Sequence, residues 1–190
     1  MTADAVFEQV RQALADYSPR RIEDPGAMPA AVLILICKRD GEAHVLFTER
    51  TDQVEHHKGQ VSFPGGARDE DDDGLESTAL RETYEEIGVE PDAVEIIGPL
   101  DDIVTASNFK VTPYVGILTT SSEYAFVLNT QEVAEIVQAP LAFLMDDRNM
   151  ELEVRERAGR EILTPSFRYD GHHIWGATAR ILHQFIELLR

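Results

Sequence analysis

The sequence predicts an α/β (α+β) fold in which a mixed β-sheet lies between helices. Short apolar or alternating runs, typical of strands, recur through most of the chain, and only a few helical patterns interrupt them. A regular alternation of strands and helices would instead predict a doubly wound parallel sheet. The length of 190 residues, 43% of them hydrophobic, suits one globular domain with a continuous core.

Three helices and one short helical turn are predicted from the spacing of apolar residues. They cover residues 4–16, 75–87, 174–189 and, for the turn, 141–145. The first helix stops before Pro19, and the second ends at Gly88 with Pro91 beyond it, which is the usual chemistry of a helix end.

Eight strands are predicted from runs that are apolar or alternate in polarity. They cover residues 30–37, 44–48, 60–63, 94–98, 110–118, 133–138, 150–156 and 161–169. The first two flank Asp40-Gly41, a strong hairpin signal, and the last two flank Ala158-Gly159, which predicts a second hairpin. Pro64-Gly65-Gly66 is predicted to break the third strand.

The charge balance restricts what the protein binds. The chain has 35 acidic and 17 basic side chains and a formal charge of −18. Proteins that bind nucleic acid through its phosphates usually carry a basic patch. Because this chain is strongly acidic, we expect no nucleic-acid partner. An anionic ligand must be held by a few arginines or by metal ions that the carboxylates recruit.

The sequence favours a cytoplasmic protein that does not associate with membranes. The single cysteine, Cys37, excludes an internal disulfide and is expected to lie buried in a strand. The apolar run around it is too short to span a bilayer, and Asp4 and Glu8 give the start an acidic character unlike that of a signal peptide. We expect residues 1–29 to form an N-terminal helix and connector, and residues 30–190 to form the main domain.

Three carboxylates share one edge of the second predicted helix. With an advance of roughly 100° per residue, Glu85 lies about 60° to one side of Glu82 and Glu86 about 40° to the other. Such an edge suits metal ligation or general base work, but a solvated acidic face with Arg81 offsetting Glu85 is the alternative. The opposite face is predicted to dock on the protein through Leu80, Tyr84 and Ile87.

The glycines and acids around this helix resemble the signature of the Nudix hydrolases. Gly65-Gly66 precede an acidic loop, and Arg81-Glu82 and Glu85-Glu86-Ile87-Gly88-Val89 follow in the family's spacing. Thr83 stands where the family usually has an apolar residue. Gly66 fits the glycine of the signature only with an insertion in the loop.

The acidic loop is open to two interpretations. Asp73 occupies the glutamate position of the signature, yet it is also placed to cap the helix with Glu76 completing a box-like pair, and capping is the favoured role. Asp69, Asp71 and Asp73 also match the opening of an EF-hand loop, but Leu80 stands where that loop needs a bidentate glutamate.

A second motif resembles the coenzyme A pyrophosphatase branch of the same family. It runs from Leu46-Phe47-Thr48-Glu49-Arg50 through Gly59 to Phe63-Pro64-Gly65-Gly66 with the branch's spacing. Thr51 replaces a small residue and Glu55 replaces an arginine of that motif, where His56, His57 or Lys58 would have to supply the cation. The segment 174–182 also resembles the branch.

The resemblance implies an α/β/α sandwich that hydrolyses a nucleoside diphosphate derivative with Mg²⁺ or Mn²⁺. It implies Glu82, Glu85 and Glu86 as metal ligands, one of them a base, and Arg81 as a positioning residue. Glu132 is the candidate for a further catalytic glutamate from a later loop, and Arg50, Gly65 and Gly66 are the candidates for binding the substrate. A homodimer is expected because the family contains many.

Three functions remain open at this point. Coenzyme A hydrolysis to adenosine 3′,5′-bisphosphate and 4′-phosphopantetheine leads. Because Glu55 replaces the arginine of the branch motif, the second interpretation is hydrolysis of another substrate, such as ADP-ribose, NADH or a dinucleoside polyphosphate. The third interpretation is a non-catalytic calcium- or metal-binding module. His172-His173 are expected to be structural or exposed, since no other histidine or cysteine lies at a ligand spacing.

Overall fold

The computed structural model describes residues 2–51, 59–120, 124–157 and 160–190. Its helices are α1 (Ala3–Ala15), α2 (Leu75–Ile87), α3 (Leu141–Leu144) and α4 (Gly176–Leu188), with 3₁₀ turns at Pro91–Ala93 and Asp147–Asn149. The first two predicted helices and the helical turn are confirmed, with ends that shift by no more than about one residue. Within the described ranges, no helix is long and apolar enough to cross a membrane.

The strands form one large and one small sheet. They are β1 (Met28–Arg39), β2 (Glu42–Arg50), β3 (Val61–Ser62), β4 (Gly65–Ala67), β5 (Val94–Pro99), β6 (Ile103–Val104), β7 (Phe109–Leu118), β8 (Val133–Pro140), β9 (Met150–Arg157), β10 (Arg160–Tyr169) and β11 (His172–Ile174). In the large sheet β1 runs parallel to β7 and antiparallel to β2 and β4, while β3 and β8 pair with β2, and β5 and β6 pair with β7. The mixed sheet is therefore confirmed.

Both faces of β1 are covered, which produces the sandwich. Ile34 and Ile36 pack on one face in a core that includes residues of α1 and α4. Leu33, Leu35 and Cys37 point to the other face and pack with α2. Because side chains alternate along a strand, a central strand buried on both faces reads as a continuous apolar run. The α/β/α arrangement and the burial of Cys37 in a strand are confirmed.

Both predicted hairpins are present. Asp40 and Gly41 have φ of 51° and 82° and join β1 to β2 where Arg39 pairs with Glu42, as in a two-residue turn with two left-handed positions. The second hairpin joins β9 to β10, and its tip at Ala158-Gly159 lies outside the described residues.

The structure differs from the prediction in two places. Strand β3 ends at Ser62, before the predicted break, but Gly65–Ala67 then forms the unpredicted strand β4 on Ala30–Val32, because glycines allow the close approach of two backbones. The last helix begins at Gly176, since Ile174 is fully buried in β11 opposite Phe167 and continues the apolar stripe only in sequence.

The N-terminal segment packs against the same core. Val6, Phe7 and Val10 of α1 are buried in the core on the α4 side of the sheet. The following connector is tied down where Tyr17 Oη donates to Asp101 at 2.6 Å. The division of the chain after residue 29 stays a prediction, and β1 begins at Met28.

Candidate active site

Helix α2 docks on β1 through a face that is rotated from the one the sequence predicts. The buried residues of this face include Ala79, Thr83 and Ile87, which are fully buried. Tyr84, in contrast, is 47% exposed. The predicted docking face of Leu80, Tyr84 and Ile87 is therefore wrong at Tyr84. Thr83 tolerates burial because its Oγ1 donates to the carbonyl of Ala79 at 2.7 Å. The rotation of the helix relative to the predicted orientation turns Glu86 towards the interior.

The three α2 carboxylates differ in burial. The Glu85 side chain is 52% exposed and that of Glu82 is 19% exposed, whereas Glu86 is buried. Burial raises the pKa of Glu86 to about 8, although the positive charge of Arg50 opposes the shift. Burial also raises the pKa of Glu82, with smaller contributions from the neighbouring acids and an opposing one from Arg81.

Arg81 holds the exposed edge of this group together. Its guanidinium donates to Glu82 at 2.9 Å and to Glu85 at 3.1 Å. It also donates to both carboxylate oxygens of Asp72, at 2.9 and 3.0 Å, and to the carbonyl of Ala67. The predicted contact of Arg81 with Glu85 is present, and the same side chain also holds Glu82 and reaches strand β4 at Ala67.

Asp72 is the residue of this site that the sequence reasoning missed. It is 5% exposed and accepts hydrogen bonds from Arg81, from Thr78 Oγ1 and from the backbone N–H of Asp69. The Arg81 guanidinium, aided by these other donors, holds the pKa of Asp72 well below its usual range. The predicted capping role of Asp73 is wrong, because Gly74 is the N-cap residue and the cap has no side-chain hydrogen bond. A run of five acids gives no signal for which one turns inward.

Two glycines bring the backbone of β4 close to the carboxylates. A Cβ atom on Gly66 would lie 2.6 Å from Cδ of Glu82, so glycine leaves the space that this side chain occupies. Gly65 has φ of 149°, and a Cβ atom there would lie 2.3 Å from the carbonyl oxygen of Ala31. Glycine is needed at both positions. At residue 66 it leaves space for the Glu82 side chain, and at residue 65 it leaves space for the backbone of β1.

The loop after residue 128 brings the candidate Glu132 to the same edge. The N–H of Asn129 donates to the carbonyl of Glu86 at 2.9 Å, and the N–H of Thr51 donates to the carbonyl of Glu132 at 2.9 Å. The charge of Glu132 contributes to the raised pKa values of Glu82 and Glu86. The structure therefore brings Glu132 near both glutamates, although it lies far away in sequence.

A cavity of about 430 Å³ opens beside the glycines, on the α4 side of the sheet. Arg50, Gly65 and Gly66 line one part of it, and apolar side chains such as Phe63, Phe109 and Trp175 line much of the rest. Arg50 Nε is buried and has no hydrogen-bond partner within the described part of the chain. Glu55, His56, His57 and Lys58 lie outside the described residues.

The α2 carboxylates fit a hard divalent cation by their chemistry. They offer only oxygen donors, which Mg²⁺ and Mn²⁺ prefer. Thr48 Oγ1 donates to buried Glu86 across 3.4 Å, a long hydrogen bond that leaves this carboxylate weakly satisfied. A bound cation would compensate the burial of its charge.

Comparison with known proteins identifies the family. The NUDIX domain model matches residues 27–156. The chain is 35% identical to Nudix hydrolase 15, mitochondrial, of Arabidopsis thaliana over 95% of this chain and 66% of that protein. It is 38% identical to the Nudix hydrolase NudL of Pectobacterium atrosepticum over 82% of this chain and 79% of that protein.

A solved structure shares the fold. The Ap4A hydrolase of Caenorhabditis elegans superimposes with a TM-score of 0.50 at 19% identity, over 60% of this chain and 80% of that one. The domain match and the two relatives show that the chain belongs to the Nudix family. Members of this family are enzymes that hydrolyse pyrophosphate bonds.

Proposed function

We propose that the protein hydrolyses the diphosphate bond of coenzyme A or its derivatives in a Mg²⁺- or Mn²⁺-dependent reaction, giving adenosine 3′,5′-bisphosphate and 4′-phosphopantetheine. The observation that carries the proposal is that the two motifs meet at Gly66, beside the cavity. Arg50, Gly65 and Gly66 of the branch-like motif line the cavity, and the Glu82 carboxylate of the Nudix signature lies directly behind Gly66.

Charge explains why such an enzyme needs a cation. A diphosphate is repelled by a chain of formal charge −18 unless a metal bridges carboxylate and phosphate oxygens. Glu82, Glu85 and Glu86 would hold the ion, which when bound polarises the phosphate and lowers the pKa of a bound water.

The protein's own side chains prepare this site. Arg81 orients Glu82 and Glu85, and Thr48 holds the inward-facing Glu86. In this proposal Glu132 lies beside Glu82 and Glu86 as a further acid that orients or deprotonates the attacking water. Rigid placement of these groups before the substrate arrives lowers the cost of reaching the transition state.

Arg50 is the proposed contact with the substrate's diphosphate. Arg50 lines the cavity, its positive charge acts on Glu86, and its Nε has no hydrogen-bond partner among the described residues. The apolar lining beyond Arg50 suits an uncharged portion of the substrate, since desolvating apolar surface favours binding without competing with the charged end.

A second candidate is the hydrolysis of another nucleoside diphosphate derivative, such as ADP-ribose, NADH or a dinucleoside polyphosphate. The observation that favours it is Glu55, an acid where the coenzyme A branch has an arginine. A charge reversal there would weaken the recognition of an additional phosphate group such as the 3′-phosphate of coenzyme A.

A cytoplasmic location and a homodimer remain further predictions.

A substrate panel tests the proposal. The protein is incubated with Mg²⁺ or Mn²⁺ and with coenzyme A, ADP-ribose, NADH or diadenosine polyphosphates, and the products are identified by mass. We expect the highest kcat/KM for coenzyme A and the two products named above. Faster turnover of another compound would replace coenzyme A as the substrate. Turnover of none, with calcium binding retained, would support a non-catalytic module.

A further inference from the structure

His172 lies between two glutamates that are distant from it in sequence. Its Nδ1 is 2.7 Å from Glu49 Oε2, and its Nε2 is 3.9 Å from Glu135 Oε2. His172 belongs to β11 of the small sheet, whereas Glu49 and Glu135 belong to β2 and β8 of the large one. The three side chains therefore join two sheets at one point.

The two glutamates are cross-strand partners. Glu49 and Glu135 face each other in the antiparallel pairing of β2 and β8. Like charges at directly opposite positions destabilise a sheet unless a cation compensates them. One donor atom from each glutamate and one from His172 lie within 4.8 Å of one another, so a single ion has three candidate ligands after small side-chain rotations.

We infer that Glu49, Glu135 and His172 form a second metal site, which takes a divalent transition metal of the Zn²⁺ type. A mixed set of one imidazole and two carboxylates suits such ions, whereas Mg²⁺ prefers oxygen ligands alone. The site has three protein ligands, and water would complete the coordination. It is separate from the α2 carboxylates and does not depend on the proposed function.

The neighbouring His173 shows what a simple ion pair looks like in the same hairpin. Its Nε2 is 2.8 Å from Glu153 Oε1, but Glu153 already has Arg155 at 2.5 Å and Arg168 at 3.7 Å. Within the described ranges, the acid beside His173 is thus paired with two arginines, whereas His172 has two acids beside it. This contrast makes His173 the matched control for His172.

Metal at this site would link the two sheets. Two of the ligands lie on β2 and β8, which pair within the large sheet, and the third lies on β11 of the small sheet. An ion that binds the folded state and not the unfolded chain raises the unfolding temperature by mass action. Zn²⁺ should therefore stabilise the protein in a way that requires His172.

Binding of Zn²⁺ in a large excess of Mg²⁺ tests the inference, because Mg²⁺ occupies oxygen sites and leaves an imidazole site open. Equilibrium dialysis and the unfolding temperature are measured for the wild type and for His172→Asn, Glu135→Gln and His173→Asn. We expect the wild type and His173→Asn to bind one Zn²⁺ per chain and to gain the same thermal stability. His172→Asn and Glu135→Gln should bind at least about 10-fold more weakly and lose that gain.

Two results would overturn the second metal site. One is the same Zn²⁺ affinity in the wild type and in both ligand variants. The other is no Zn²⁺ binding by the wild type in excess Mg²⁺, which would leave His172 as a hydrogen-bonding partner of the acids and not a metal ligand. Glu135 is 62% exposed, so its substitution keeps the test valid even if a change at His172 disturbs packing. A Glu86→Gln variant that retains the Zn²⁺ would separate this site from the α2 carboxylates.

Discussion

The carboxylate of Glu82 lies in the space that a side chain at Gly66 would need, with its Cδ only 2.6 Å from the position of that absent Cβ. β4 supplies the glycine and α2 supplies the acid, so the pairing of β4 with β1 places the glycine strand directly against helix α2. This contact joins the two sequence motifs physically.

Replacing Gly66 with alanine should impair activity much more than stability. The new methyl group must displace the flexible end of Glu82, which moves at little cost to folding but leaves its proposed place in the metal site. We expect kcat to fall by about 10- to 100-fold, the scale of a misplacement of about 1 Å. Steady-state kinetics and thermal unfolding measure the two effects.

Gly65→Ala is the control for this variant. Its methyl group would meet the carbonyl of Ala31 and would require φ of 149° from a residue with a side chain. It should therefore lower the unfolding temperature, which Gly66→Ala should leave nearly unchanged. Full activity in Gly66→Ala would contradict the role given to the contact with Glu82.

Asp72→Asn should destabilise the protein at neutral pH by about 2–3 kcal/mol, because it removes a buried partner of Arg81. The pKa of Asp72 is lowered in the folded state, so this contribution is present above the pKa of the unfolded chain, about 4, and is lost as the pH falls through the folded-state pKa. The difference in unfolding free energy between the wild type and the variant should shrink on acidification below about pH 4.

Asp73→Asn provides the comparison for Asp72. Asp73 is exposed and its side chain makes no cap hydrogen bond, so the variant should keep the stability of the wild type to within about 0.5 kcal/mol. Denaturant unfolding at pH 7 and at lower pH measures both variants. Equal stability losses for the two would contradict the assignment of Asp72 as the buried acid of this loop.

Arg50→Gln should weaken substrate binding. The variant loses the cation proposed to meet the diphosphate, so we expect KM to rise by at least about 10-fold with a smaller change in kcat. Arg148→Gln is the matched control, since Arg148 is 88% exposed and pairs only with its neighbour Asp146 among the described residues. An unchanged KM in Arg50→Gln would remove Arg50 from the substrate site.

Local patterns predict the fold well where a few adjacent residues determine the structure. Helix α2 begins and ends as predicted because its apolar spacing and Gly88 act within the helix itself, and Asp40-Gly41 determines the first hairpin by its turn chemistry. Strand β4 is not predicted by its own glycine-rich sequence, because it forms through pairing with β1, which is distant in the chain.

Long-range relationships in the site are beyond local patterns. The helix faces β1 through Ala79 and Thr83, a small and a polar residue that lie outside the predicted stripe of large side chains, so the inward turn of Glu86 is not predicted. The sequence predicts a structural or exposed role for His172, because no other histidine or cysteine lies at a ligand spacing from it. Its acidic neighbours Glu49 and Glu135 lie on other strands and become neighbours only in the folded chain.

The metal-dependent reaction at the α2 carboxylates is tested most directly by kcat/KM of the wild type, Glu85→Gln, Glu86→Gln and Glu76→Gln with Mg²⁺ and the best substrate. Glu76 is an exposed acid of the same helix and serves as the control. We predict at least a 100-fold loss for the two ligand variants, about the loss expected when electrostatic stabilisation is removed, with a folded protein and a normal rate for Glu76→Gln. Near-normal rates in folded Glu85→Gln and Glu86→Gln would contradict the assignment of the catalytic centre to this helix edge.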